Sequence, residues 1–298
     1  MKSNLAKAAL WTIVAITLSA GIAHAQNTRV RTKAPPALPS IDLFAYENGA
    51  LFIQMPAGLE EADVNSSPLN FIDGAHKTDL AVDADQTNIF VLELSERTEL
   101  RRIAFDSAFQ GHNESAPRAV KVELSDTSPT TGFTTILSTN LRMAADNQSF
   151  TMDPRTLPVG RWVRLTLLSN FGGERISLNG FRGYGRQLTS EAKLENLTGT
   201  YRGGSGIGTV NIVQTGNQVT GCYDYQKTRF TGIVQGRVLK LNMTETDYTG
   251  SESRFEGVFN SHTSGLLIGL VRAPGPAADR GYATFISATR EGTRAGTC

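Results

Sequence analysis

Residues 209–243 read TVNIVQTGNQVTGCYDYQKTRFTGIVQGRVLKLNM, and their pattern predicts the fold of the C-terminal part of the chain. Apolar and polar residues alternate along its segments, as they do in a β-strand with one buried and one solvated face. Thr215-Gly216-Asn217 and Gln235-Gly236 interrupt the alternation at spacings typical of tight hairpin turns. The stretch therefore predicts consecutive antiparallel strands linked by hairpins.

The same pattern extends in both directions, so that eight strands are predicted between Leu197 and Arg290. Consecutive hairpin-linked strands of this number close most naturally into an up-and-down barrel, which leaves no exposed sheet edge. Glycines within the strands, such as Gly221 and Gly232, suit the tight coiling of a small barrel. We therefore expect an eight-stranded antiparallel β-barrel over residues 197–298.

Upstream of the barrel, residues 41–185 read as short strands separated by turn-forming residues. Asn88–Leu94 is a nearly continuous apolar run suited to a buried strand, whereas Val120–Leu124 alternates between apolar and charged residues. Many short strands at this spacing predict a β-sandwich. The whole chain is therefore assigned to the all-β class, and the polar stretch 186–196 is the predicted linker between sandwich and barrel.

The N-terminus has the features of a secretory signal peptide over residues 1–25. Two early lysines precede an apolar run over Ala8–Ala20, and a small-x-small cleavage sequence ends at Ala25. An uncleaved membrane anchor is the alternative, but the apolar run is short for a bilayer span. Residues 26–40 are rich in proline and basic residues and are predicted to be a disordered linker. We therefore expect a secreted or periplasmic protein without a transmembrane segment after cleavage.

The composition and the motifs narrow the function. The chain has 29 basic and 28 acidic residues, so its net charge of +1 supplies no basic field for nucleic acid. It contains no G-x-S-x-G, no H-E-x-x-H, and no Walker or Rossmann glycine pattern before a helix. We therefore predict a non-enzymatic protein with no catalytic residues, no cofactor and no nucleic-acid partner.

Two cysteines are present, Cys222 and Cys298. In an oxidising compartment such a pair is most simply a disulfide, and the absence of a C-x-x-C motif argues against zinc or redox chemistry. Two unrelated free thiols are the alternative. The predicted bridge would tie the last residue to the barrel and would contribute on the order of 4 kcal/mol in the chain-entropy model.

Three segments lie between residues 45 and 185, namely Asn70–Thr78, Phe90–Phe105 and Gly160–Gly185. Together they resemble the discoidin family, the coagulation-factor type C or galactose-binding-like β-sandwich. The resemblance implies that Phe90–Leu94 and Leu100–Phe105 are paired central strands. It also implies that ligands bind to loops at one end of the sandwich.

The discoidin resemblance also implies a structural calcium ion near Asp73 and Thr78. Family members hold this ion through the Asp, the Thr, nearby carbonyls and a Glu on the final strand, but Gly180 stands at the Glu position here. Loss of a carboxylate weakens a site built from hard oxygen ligands. We therefore predict weak or absent calcium binding; the alternative role of Asp73 is to cap its own turn beside Gly74.

The C-terminal domain resembles a small lipocalin-like or calycin-like barrel of secreted bacterial proteins. The resemblance is carried by Gly199–Tyr201, Val210–Gln214, Val219–Tyr223, Gly232–Leu239 and Gly265–Gly269. It implies a fold but no established activity.

The sandwich loops contain aromatic faces and neutral hydrogen-bonding groups, which polyhydroxylated ligands require. The candidate ligand-binding residues are His76, Phe109, His112, Asn113, Asn170 and Phe171. An ordinary structural role is the alternative for each. We therefore predict a secreted envelope or extracellular protein that recognises a carbohydrate or a cell-surface ligand. A non-catalytic scaffolding protein that binds other envelope proteins is the second hypothesis, and an unrecognised hydrolase is the third.

Overall fold

The computed structural model describes residues 41–59, 67–74, 80–108, 113–188, 196–204, 206–262, 265–272 and 284–297. The predicted signal peptide and the linker that follows it lie outside these residues. The described residues form seventeen β-strands and short 3-10 turns, without an α-helix, which confirms the all-β class. Within this described part, no helix has the length and apolar character needed to span a membrane.

The N-terminal half is a sandwich of antiparallel strands. The strands are β1 (Leu51–Gln54), β2 (Leu80–Asp83), β3 (Asn88–Asp106), β4 (Ala119–Ser125), β5 (Thr134–Asn140), β6 (Gln148–Thr151), β7 (Val159–Leu167), β8 (Arg175–Leu178) and β9 (Gly180–Gln187). The main sheet has the order β1-β3-β7-β4-β5, with β6 and β9 paired to β3. Strands β2 and β8 form a separate two-stranded ribbon.

The long strand β3 corrects one prediction. Phe90–Leu94 and Leu100–Phe105 are not paired with each other, because both lie on this single strand. Its first half pairs with β1 and β7, and its second half pairs with β6 and β9. The intervening residues 95–99 are Ser-Glu-Arg-Thr-Glu and include no turn-forming Gly, Pro or Asn, so the chain continues through a register shift instead of reversing.

Aromatic side chains fill the sandwich core. Phe71 and Phe90 have ring centroids 5.1 Å apart, and Phe105 and Phe181 stack at 5.2 Å. These separations are typical of favourable aromatic pairs, which add stability beyond the area that they bury. All four rings are buried, so the core is built by the inward-facing positions of β3 and β9 together with the 3-10 turn before β2.

The C-terminal half is the predicted closed barrel. Its eight strands are hydrogen-bonded in sequence order, and the last pairs with the first. The prediction of an eight-stranded antiparallel up-and-down barrel is therefore confirmed. The strands are β10 (Gly199–Gly203), β11 (Gly208–Thr215), β12 (Gln218–Tyr223), β13 (Thr228–Gln235), β14 (Val238–Thr246), β15 (Glu252–Ser261), β16 (Leu266–Arg272) and β17 (Thr284–Gly292).

Side chains fill the barrel lumen. Residues such as Ile212, Phe230, Leu241 and Phe259 line an apolar interior whose free space is about 20 Å³. That space is enough for about one water molecule. The lumen therefore acts as a packed core, as expected for a barrel of this size.

The C-terminal tail runs close to the strand that carries Cys222. Cys222 is buried on β12, and its cross-strand partner on β11 is Asn211. The backbone N–H of Gly296 donates a 2.8 Å hydrogen bond to Asn211 Oδ1. No described cysteine is a free thiol. Cys298 lies outside the described residues, so its pairing with Cys222 stays a prediction.

The outer wall of the barrel packs against the sandwich, and residues Leu38–Cys298 form one compact unit. Four outward-facing barrel residues belong to the same buried cluster as the sandwich core, namely Val238, Val258, Ile268 and Leu270. We call this contact region the junction. Arg186 and Gln187 are the last residues of β9, and residues 189–195 lie outside the described part. The linker predicted at 186–196 therefore stays a prediction.

Hydrogen bonds connect the sandwich to the barrel across the junction. Arg237 Nε donates to the Gly49 carbonyl at 2.8 Å, and Arg237 Nη2 donates to the Glu93 carbonyl at 3.0 Å. Tyr46 Oη donates to the Ile268 carbonyl at 2.8 Å, while Asn260 Nδ2 donates to the Tyr46 carbonyl at 2.8 Å. Buried backbone carbonyls are costly to leave unpaired, so these bonds fix how the barrel sits on the sandwich.

The only described histidine, His262, lies at the edge of the junction. Its Nε2 atom is 3.3 Å from Tyr46 Oη. Burial, together with the positive charge of Arg237, lowers the pKa of His262 to about 4. The imidazole is therefore neutral near pH 7, and it contributes to the junction as a hydrogen-bonding ring without a charge.

Candidate functional site

The described loop with candidate residues is Asn170–Glu174, which connects β7 to β8. The Asn170 side chain makes three hydrogen bonds within it: Nδ2 donates to the carbonyls of Gly173 and Arg175 at 2.6 and 2.7 Å, and Oδ1 accepts from Gly172 N–H at 2.9 Å. Gly172 has φ 117°, a conformation that non-glycine residues rarely adopt. The loop is therefore held in one shape by its own side chain.

A second segment forms backbone hydrogen bonds with this loop. The Glu114 carbonyl, in the short 3-10 turn Asn113–Ser115, accepts hydrogen bonds from the backbone N–H groups of Phe171 and Gly173, both at 3.1 Å. Arg118 N–H donates to the Ser169 carbonyl at 2.7 Å. These bonds place two separate parts of the sequence next to each other at one end of the sandwich.

The resulting surface combines an aromatic ring with polar groups. The Phe171 ring is half-buried, and the guanidinium carbon of Arg118 lies 5.8 Å from its centroid. Asn113 and Arg118 are exposed beside it. We call Asn113, Arg118 and Phe171 the loop platform.

The structure assigns different positions to the predicted ligand-binding residues. Asn113 and Phe171 are brought together in the loop platform. Asn170 lies in the same loop, but its amide is fully engaged in holding that loop, which is the structural role considered as the alternative. His76, Phe109 and His112 lie outside the described residues.

Sequence reasoning missed Arg118. Nothing in the sequence places residue 118 beside residue 171, because the contact depends on an isolated bridge between Pro117 and Asn170. The sequence context of Arg118 could have indicated an exposed position. Arg118 follows a proline and immediately precedes the strand β4, and side chains at the end of a sandwich are exposed.

The region expected for calcium is built differently from a cation site. Asp73 is buried, and Thr78 lies outside the described residues. Gly180 faces Asp106 across β9 and β3, and a Cβ atom at position 180 would come within 2.5 Å of Asp106 Oδ2. Asp106 is itself paired with Arg182 and accepts a 2.7 Å bond from Asn147 N–H. A guanidinium therefore compensates the buried carboxylate beside Gly180.

The described residues do not fit a calcium cage. Within the described part of the chain, no three His, Cys, Asp or Glu side chains are grouped to hold a metal ion. A calcium site requires six to eight oxygen ligands, several of them charged. Of the side-chain positions that the family pattern gives to calcium, the described residues include Asp73, which is buried, and Gly180, which has no oxygen-bearing side chain.

We therefore expect calcium to bind weakly or not at all. Calorimetric titration of the full chain with CaCl₂ should give no saturation below about 0.1 mM, the affinity range of weak extracellular sites. The thermal unfolding midpoint should be the same in calcium and in EDTA. Micromolar binding that is abolished by Asp73→Ala, in a variant that retains its β-sheet circular dichroism, would contradict this expectation.

Part of the sandwich matches a known family. Residues 81–187 match the family model described as Sad1 / UNC-like C-terminal. The match covers part of the sandwich, and the antiparallel β-sandwich itself is the coarser part of the discoidin resemblance. No curated protein matches the chain. The lipocalin-like character of the barrel stays a prediction.

Several solved structures are similar to this chain over about half of its length. The family 32 CBM of NanJ from C. perfringens, solved with galactose, has 14% sequence identity and a TM-score of 0.39, covering 48% of this chain and 97% of that one. Chitosan-binding module 1 from a Paenibacillus chitosanase/glucanase has 17% identity and a TM-score of 0.38, covering 49% and 99%. The C-terminal domain of a Bacteroides fragilis chitobiase has 14% identity and a TM-score of 0.40, covering 48% and 97%.

Proposed function

We propose that this is an exported, non-catalytic binding protein that recognises a carbohydrate through the loop platform. The observation that carries the proposal is the fixed position of the Phe171 ring, with Arg118 and Asn113 exposed around it. Sugars present apolar ring faces and many hydroxyl groups, so they need an aromatic surface flanked by donors and acceptors. The loop platform supplies both.

The rigidity of the loop supports this role. The hydrogen bonds of Asn170 and of the Glu114 carbonyl hold the backbone around Phe171 before any ligand arrives. A preformed site loses less conformational entropy on binding, so a few weak contacts suffice. Each neutral hydrogen bond to a ligand contributes about 1–3 kcal/mol on truncation, which predicts weak binding of single sites and a gain from multivalency.

We expect a glycan array probed with the full chain to identify bound sugars, and Phe171→Ala and Arg118→Ala each to reduce the affinity for them about tenfold, equivalent to about 1.4 kcal/mol. Phe133→Ala is the matched control, because Phe133 also lies under an arginine, with the Arg164 guanidinium carbon 4.2 Å from its ring centroid. Phe133 precedes Thr134, which pairs with Leu124, so it lies at the end of β4 opposite to Arg118. The affinity of the Phe133→Ala variant for the identified sugars should equal that of the unmodified protein.

Two results would count against the proposal. The first is an array on which no glycan binds above background while the protein is folded. The second is glycan binding that survives the double change Phe171→Ala and Arg118→Ala, since the ligand would then be held elsewhere.

A further inference from the structure

A groove lined by charged, amide and aliphatic side chains runs along the junction, on a surface formed by both the sandwich and the barrel. It consists of two depressions of about 440 and 390 Å³, and Glu47 and Lys240 line both of them. The first depression lies between the sandwich and the turn that joins β13 to β14, and the second lies on the barrel wall. Because they share two side chains, we treat them as one feature, the junction groove.

The groove has the dimensions of an extended chain. Three residues at alternate positions of β14 line the groove, namely Val238, Lys240 and Asn242. Val238 lines the first depression, Asn242 lines the second, and Lys240 between them lines both. Alternate residues of a strand face the same side, so this row spans roughly 13 Å at a rise of about 3.4 Å per residue. The groove therefore follows β14 for the length of about four extended residues.

The lining chemistry favours a peptide over a sugar. None of the described residues that line the two depressions is aromatic, so the groove offers no ring on which a sugar could stack. It offers aliphatic side chains, such as the exposed Ile41 and Ile233. It also offers the amide groups of Gln235 and Asn242, which can both donate to and accept from a peptide backbone.

Unpaired charges mark the middle of the groove. Among the described residues, neither Lys240 nor Glu47 has an ion-pair partner within 4.0 Å, whereas Arg272 and Glu256 in the second depression pair with each other at 3.2 Å. Unpaired charges of opposite sign select a ligand that carries both signs. The surrounding walls are fixed in position by the Arg237 and Tyr46 hydrogen bonds of the junction.

We propose that the junction groove binds an extended peptide segment of a partner protein, with an acidic residue of the peptide at Lys240 and a basic residue at Glu47. This site is independent of the loop platform, and it depends on the barrel and the sandwich being held together. It gives the junction a role in recognition in addition to its role in stability.

Selection of a displayed library of random twelve-residue linear peptides against the full chain tests the proposal, with affinities of the enriched peptides measured by fluorescence anisotropy. Lys240→Glu and Ile233→Asp should each weaken binding at least tenfold. The matched controls are Arg229→Glu, an exposed cation on β13, and Val213→Asp. Val213 is 45% exposed on the barrel wall, close to the 40% of Ile233, and neither control residue lines the groove.

Both controls should leave the affinity within twofold, and Phe171→Ala should do the same. The proposal is overturned if no peptide is enriched, if the groove variants bind the enriched peptides as tightly as the controls do, or if Phe171→Ala weakens binding as much as Lys240→Glu. Thermal unfolding of each variant checks that the fold is retained, which we expect because the altered side chains face solvent or the groove. Failure here would leave glycan binding at the loop platform untouched.

Discussion

Replacement of Tyr46 by alanine should lower the free energy of unfolding by about 3–5 kcal/mol, the range typical of large aromatic-to-alanine changes in a packed core. Tyr46 is 0% exposed and lies in the cluster that joins the sandwich to the barrel. The change removes the ring from this cluster and also removes the hydroxyl that donates to the Ile268 carbonyl. Urea unfolding followed by circular dichroism measures the effect.

Two variants separate the contributions of the ring and the hydroxyl. Tyr46→Phe keeps the ring but leaves the Ile268 carbonyl without this donor, so it should cost about 1–3 kcal/mol. Tyr248→Ala is the matched control, because Tyr248 is 100% exposed and surface changes of this kind usually stay within about 0.5 kcal/mol. A loss below about 1 kcal/mol for Tyr46→Ala, well under the expected range, would show that the junction does not stabilise the fold.

The barrel could be predicted because its signals are local. Alternating residues and short turns lie next to each other in the sequence between Thr209 and Met243, and hairpins pair neighbouring strands. The eight strands predicted between Leu197 and Arg290 are observed between Gly199 and Gly292. The continuity of β3 was missed because apolar runs reveal strands but not whether a polar stretch between them reverses the chain.

The junction could not be predicted from the same signals. It joins residues more than two hundred positions apart, such as Tyr46 and Ile268, and no local pattern reports such a contact. One indirect signal existed: Leu266–Val271 is apolar at nearly every position, whereas a barrel strand with a wet outer face should alternate. A strand with two apolar faces indicates that its outer face is covered.

The loop platform was predicted in part for a similar reason. Composition pointed to Phe171 and Asn113 as candidates, since aromatic and amide side chains in loops suit ligand binding. It could not distinguish the half-buried ring of Phe171 from the engaged amide of Asn170, because ligand binding and loop stabilisation both use polar or aromatic residues at a turn. That difference depends on the hydrogen bonds within Asn170–Glu174.

The Cys222–Cys298 disulfide is expected to have an effect as large as that of Tyr46. Gly296 already hydrogen-bonds to Asn211, the cross-strand partner of Cys222, so the tail reaches the strand that carries the buried cysteine. Cross-links of this kind stabilise mainly by restricting the unfolded chain, and a loop of this length corresponds to about 4 kcal/mol.

Cys298→Ser is the cleanest test of this bridge, because it leaves the buried side chain of Cys222 in place and should lower the unfolding free energy in urea by about 4 kcal/mol. Adding Cys222→Ser to Cys298→Ser should then cost much less than it does in the presence of Cys298, since two residues of one cross-link are not additive. Alkylation of the unreduced, denatured protein followed by mass measurement gives an independent readout. Incorporation of two alkyl groups, together with an unchanged stability of Cys298→Ser, would show that the thiols are not bridged.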